Sequence, residues 1–177
     1  MQLKPIRQTA RQTARQTARQ TAKGFRLGMF FALFATLSAG SALANKANFD
    51  KLTLSPGFEA SSGVVSGFTG GSTSLPAIVA NRDRYNNPCL GFGDPTPDHV
   101  MELKRDFSKL RLEVNSRGHD TTLLIQGPDN TIHCGDDTDS SRDASIEDSN
   151  WKVGSYKIWV GSMQAGSRQN YTLTVRE

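Results

Sequence analysis

TTLLIQGPDNTIHC, residues 121–134, is the segment from which the architecture follows. Residues 121–126 are Thr, Leu, Ile and Gln without a charge, a composition that favours a strand over a helix at this length. Gly127-Pro128-Asp129-Asn130 is a turn, because proline presets one backbone angle and glycine and asparagine tolerate left-handed ones. Residues 131–134 then return alongside the first strand, so the segment predicts a hairpin. The same period of two recurs further out. Leu110, Leu112 and Val114 alternate with Arg111, Glu113 and Asn115. Tyr156, Ile158 and Val160 alternate with Lys157 and Trp159, and Tyr171, Leu173 and Val175 alternate with Thr172, Thr174 and Arg176. Another strand begins over residues 100–103, and residues 64–68 and 75–80 read as short strands, with Pro76 confining the latter to an edge or a strand start. No helix-length window carries a 3.6-residue stripe. The pattern predicts an all-β fold, an antiparallel jelly-roll-like β-sandwich of about seven to eight strands.

The charge is unevenly distributed. The chain has 177 residues with 21 Lys and Arg against 17 Asp and Glu. Seven of the cations (Lys4, Arg7, Arg11, Arg15, Arg19, Lys23, Arg26) precede residue 45, where there is no acid. Residues 45–177 therefore hold 14 bases and 17 acids, a mildly acidic body without a basic stripe, which argues against nucleic-acid binding. Residues 27–39, LGMFFALFATLSA, follow the cations as an apolar run, and Ala42-Leu43-Ala44 supplies the small-x-small pattern of a signal-peptidase site. Cleavage is expected after Ala44, giving a secreted or periplasmic protein that meets the membrane only through this segment. The competing reading is an uncleaved anchor, for which residues 27–44 are at the short limit. The fourfold RQTA repeat over residues 7–22 reads as a low-complexity extension of the leader. The expected organisation is leader 1–44, a Gly/Ser-containing flexible linker 45–62, and one sandwich domain 63–177.

Cys89 and Cys134 both lie in the exported part, 45 residues apart, and in an oxidising compartment are most simply one disulfide. His133 adjoins Cys134, but neighbours on a strand point to opposite faces, which argues against a catalytic Cys–His pair. Two cysteines and three scattered histidines lack zinc-site spacing.

Five stretches together resemble the bacterial pre-peptidase C-terminal domain family. They are CLGFGDPTPDHVMEL (89–103), FSKLRLEV (107–114), DTTLLIQGPDNTIHCGDD (120–137), WKVGSYKIWVGS (151–162) and YTLTV (171–175). The resemblance covers residues 89–177 well and 57–88 loosely. It implies a secreted jelly-roll-like sandwich, often appended to peptidases, which in some relatives binds calcium and in others collagen, polysaccharide or other surfaces. The typical host carries a protease ahead of the module. The length of this chain after the leader holds one sandwich, so an inherited peptidase label is not expected to apply.

Residues 136–148, DDTDSSRDASIED, put six acids and one arginine into thirteen positions. Oxygen ligands at that density suit Ca²⁺. The run is not an EF-hand, because Arg142 stands where glycine is needed and Asp148 where a bidentate glutamate is. The alternatives are a solvated acidic loop or a calcium site with Asp136, Asp137 and Asp139 as ligands and Asp98 or Asp120 as outside contributors. His99 and Asp120 with a serine do not make a triad: there is no nucleophile-elbow motif, and Asp98-His99 reads as a structural corner. Trp151, Tyr156, Trp159 and Tyr171 either pack a small core or present a binding platform, and Trp159 is out of phase with its inward neighbours. No catalytic or cofactor-binding residue is expected, and no cofactor is required beyond Ca²⁺. The sequence reading is thus an exported, non-catalytic binding or accessory module with an unknown protein or polysaccharide partner. A peptidase-associated accessory or targeting protein is the alternative, and a secreted hydrolase the remote one.

Overall fold

The computed structural model describes residues 46–138 and 141–177. The hairpin at the centre of the sequence forms as β7 (Thr121–Gln126) and β8 (Ile132–Gly135), joined through a 3-10 turn over Pro128–Asn130. Asp129 and Asn130 adopt left-handed backbone angles there. β7 pairs on its other side with β10 (Gly154–Ser162), and β10 pairs with β5 (His99–Leu103). β5 pairs with β1 (Leu52–Leu54). Ser162 of β10 meets both β7 and β4 (Phe92–Gly93), so β4 and its partner β3 (Thr73–Ser74) continue the β5 side of β10. These strands make a seven-stranded sheet. The second sheet is antiparallel and four-stranded, in the order β2 (Val64–Phe68), β11 (Asn170–Arg176), β6 (Phe107–Asn115) and β9 (Ser145–Trp151).

The period-two residues fill the space between the sheets. Leu123, Ile125, Tyr156, Ile158 and Val160 face Leu110, Leu112, Val114, Leu173 and Val175 in one buried cluster. A second, smaller cluster lies on the far face of the larger sheet, where Leu75, Cys89, Leu124 and Trp159 are buried together. It explains why β7 is apolar on both faces, and why Trp159, pointing away from the main core, is 3% exposed. Trp151, Tyr156 and Tyr171 are as deeply buried, so all four aromatics pack and none forms an exposed platform.

Four expectations need correction. Residues 75–80 are not a strand: α1 (Leu75–Ile78) is one short helical turn with a proline in its first positions, where the missing N–H costs nothing. Residues 45–62 are not a free linker, because β1 lies within them and buries Leu52 and Leu54. β1 runs parallel to β5, so the sandwich is antiparallel with one exception. The acidic run 136–148 is not loop throughout, since β9 begins at Ser145. With β1, β3, β4 and β9 added and residues 75–80 removed, the described residues contain eleven strands, where seven to eight were expected.

Cys89 and Cys134 are bonded, with Cα atoms 5.2 Å apart. The bond ties the loop after α1 to β8, at the edge of the larger sheet.

Candidate functional site

The opposite ends of β2 and β11 bring together residues from four distant segments. Phe49 and Phe68 meet edge to face with centroids 4.8 Å apart, and the Arg168 guanidinium lies 3.2 Å from the centre of the Phe68 ring. Gly67 makes this possible. A Cβ at that position would sit 2.6 Å from the Tyr171 hydroxyl and 2.8 Å from Phe49. On one side of the aromatic pair is an open groove of about 750 Å³, walled by Ser66, Asn115, Arg117, His119, Gln169 and Asn170. On the other is a smaller hollow of about 410 Å³, bounded by Asn48, Asp94, Asp98 and Arg168. The first carries one arginine with amides and hydroxyls and no acid; the second carries two carboxylates beside Arg168.

Asp98 is 7% exposed, and its Oδ2 accepts the Val160 N–H at 2.7 Å. Burial pushes its carboxyl up to about 7, and the hydrogen bonds from Val160 and Asn48 only partly oppose that. His99, the next residue, points into the core. Its Nδ1 is 2.8 Å from the Asp50 carbonyl, which can only accept, so Nδ1 carries the proton and Nε2 accepts from the Tyr171 hydroxyl at 2.9 Å. Burial holds the His99 pKa below its ordinary value and raises that of Tyr171. Both ring nitrogens are engaged in long-range bonds that tie Asp50, just before β1, and Tyr171 of β11 to β5.

The acidic run divides into three environments. Asp120, Asp136 and Asp137 each offer a carboxylate oxygen within 4.8 Å of the others. The grouping follows from the hairpin: Leu123 pairs with Gly135, so the residue before β7 lies beside those after β8. Asp120 Oδ1 and Asp136 Oδ1 are buried without a hydrogen-bond partner among the described residues. Burial, and then the charges of Asp137 and Asp120, raise the Asp136 pKa. Asp139 lies outside the described residues, and Asp98 is at the hollow described above, not in this group.

Asp143 has a different role. It accepts from the Ser116 N–H at 2.7 Å, the Ser116 hydroxyl and the Gly118 N–H at 3.2 Å, closing the turn in which Arg117 and Gly118 have positive φ. Burial works against its ionisation, but these bonds outweigh it and keep its pKa below the ordinary range.

Asp148 lies half-buried on β9 beneath the disulfide-tied loop. Its Oδ2 is 2.8 Å from His133 Nδ1, and its Oδ1 accepts from Arg84 at 2.6 Å and Tyr85 at 2.9 Å. His133 also stacks flat on Trp151, with centroids 4.3 Å apart. Burial of Asp148 is outweighed by its donors, which hold its pKa low. Burial lowers the His133 pKa despite Asp148, so the pair is a neutral imidazole N–H donating to a carboxylate. His133 and Cys134 thus serve opposite faces of β8. The Arg84–Asp148 contact joins residues 64 apart, and no local motif announces it.

No protein-family model matches the chain, and no curated protein sequence does. Among solved structures, the chain is similar to the pre-peptidase C-terminal domain of a collagenase from Bacillus anthracis, at 14% identity over 75% of this chain and 100% of that one, with a TM-score of 0.42. It is also similar to PliG from Aeromonas hydrophila, a periplasmic inhibitor of g-type lysozyme, at 15% identity over 71% of this chain and 96% of that one, with a TM-score of 0.31.

Proposed function

We propose that the protein is an exported, non-catalytic binding module whose ligand lies in the groove beside Phe49 and Phe68. The observation that carries this reading is the groove itself: an aromatic pair, one arginine (Arg117), and a ring of amides and hydroxyls around an open space of about 750 Å³. An apolar body with a few placed polar groups is how polymers and protein surfaces are gripped. The disulfide supports export, since such bonds persist outside reducing compartments. The ligand is a polysaccharide or a protein of the envelope or its surroundings. The test is binding of immobilised envelope polysaccharide and envelope protein by the wild type and by Phe68→Ala. Retention that the substitution abolishes supports the reading. No retention on either, or retention that ignores Phe68, overturns it. Export is tested separately by N-terminal sequencing of the cell-envelope and medium fractions, where Asn45 is the expected first residue.

A second reading rests on the pre-peptidase C-terminal motifs of residues 89–177: an accessory or targeting protein for a separately encoded peptidase. A neighbouring protease whose activity or location the purified protein changes would favour it, and an unaffected one would remove it.

Asp120, Asp136 and Asp137 fit a calcium ion. Their spacing allows shared contacts at the usual ~2.3–2.6 Å, and two buried oxygens have no other partner among the described residues. An ion there would offset two of the three carboxylate charges and so relieve their repulsion, and would pin the chain after β8 to the start of β7.

A further inference from the structure

We infer that two copies of this chain associate through the free edge of β2, joining their four-stranded sheets into one. Among the described residues β2 is the end strand of its sheet and pairs with β11 alone. Its outward groups can be read from the ladder. Thr69 N–H donates to the Gln169 carbonyl at 2.9 Å, and this pair continues the register of Phe68 with Asn170. Hydrogen-bonded pairs alternate in an antiparallel ladder, so Val65 and Gly67 bond to β11. The N–H and C=O of Val64, Ser66 and Phe68 therefore face away from it, and none has a protein partner among the described residues.

Edge strands are ordinarily guarded by a charge, a proline, a bulge or a covering segment. β2 has neither charge nor proline: no charged residue occurs between Glu59 and Arg82, and no proline between Pro56 and Pro76. Val64, at its start, is 42% exposed.

The sequence of the edge is complementary to itself. Antiparallel pairing about a two-fold axis at Ser66 sets Ser66 opposite Ser66 and Val64 of one copy opposite Phe68 of the other. The serines can hydrogen-bond, and a β-branched side chain facing an aromatic one is a favourable cross-strand pair. The same rotation brings the Arg168 end of one edge to the end of the other where Glu59 precedes β2 and Arg176 and Glu177 close β11, two acids and one base. A second copy is therefore the occupant the chemistry selects. The join leaves the outer faces open, and both grooves lie on one eight-stranded surface.

Sedimentation equilibrium of the full protein tests this. An interface built on one five-residue strand is small, so the mass should rise from one chain to two at roughly 0.1 mM. Ser66→Lys sets two ammonium groups against each other across the axis and should stay monomeric. Ser66→Pro, whose lost N–H faces outward, should do the same. Thr53→Lys, on the β1 edge, should dimerise like the wild type. Well below roughly 0.1 mM, where the wild type is itself monomeric, all three should keep its melting temperature. A wild type that is monomeric to about 1 mM, or a Ser66→Lys or Ser66→Pro protein that is folded and dimerises normally, overturns the inference.

Discussion

Asp98→Asn tests the electrostatics of the hollow beside Phe49. The carboxyl titrates near 7 in the folded protein, against an ordinary value of 3.8. A raised acid pKa means that the folded state holds the proton more tightly than the unfolded chain. Its contribution to stability is complete below about pH 4 and is lost progressively as pH rises to about 7. About three pH units at about 1.4 kcal/mol each give a loss of about 4 kcal/mol. Arg168 also borders the hollow, and Asp94 adds to the rise. Asparagine keeps an oxygen for the Val160 N–H but cannot ionise. Urea unfolding of both proteins from pH 4 to pH 8 gives the comparison. The difference, variant minus wild type, should climb by about 4 kcal/mol across that range and flatten above pH 7.5. Taking the difference removes the opposing trend from Asp143 and Asp148, whose lowered pKa values make stability fall as pH drops. Parallel curves for the two proteins would refute the reasoning, because Asp98 would then ionise as if in water.

Two other outcomes are expected. Reducing Cys89–Cys134 releases a loop spanning 45 residues and should cost about 4 kcal/mol in the chain-entropy model, seen as a lower urea midpoint with dithiothreitol; an unchanged midpoint would mean that the loop is held by Arg84 and Asp148 alone. Millimolar calcium should raise the melting temperature of the wild type but not of Asp136→Asn, and a wild type indifferent to calcium would remove the proposed ion.

What the sequence revealed, and what it hid, follows from how each strand is buried. β6, β10 and β11 have one face in the core, so their apolar residues alternate and were readable. The β7–β8 hairpin was readable from its turn chemistry. β9 was not, because its buried residues Ile146 and Trp151 are not two apart, and the position between them is taken by Asp148, compensated by His133 and Arg84. β1 is three residues long, too few to establish a period. Pro76 was compatible with both an edge strand and a helix start, and only the burial of Leu75 against Leu124 and Trp159 distinguishes them.

The candidate sites divide in the same way. Acid density pointed to Asp136 and Asp137, and Asp120 joins them because the hairpin register places it there. The groove was invisible: Phe49, Phe68, Arg117 and Asn170 come from separate segments, and the meeting of β2, β6 and β11 assembles them.

The measurement that reaches the central proposal most directly is a residue-resolved amide chemical-shift titration of the protein with soluble fragments of envelope polysaccharide and with envelope protein. Saturable shifts concentrated at Ser66, Phe68, Asn115, Arg117 and Asn170 are the expected result. Saturable shifts confined to the disulfide-tied loop around Tyr85, or none with any ligand, would contradict it.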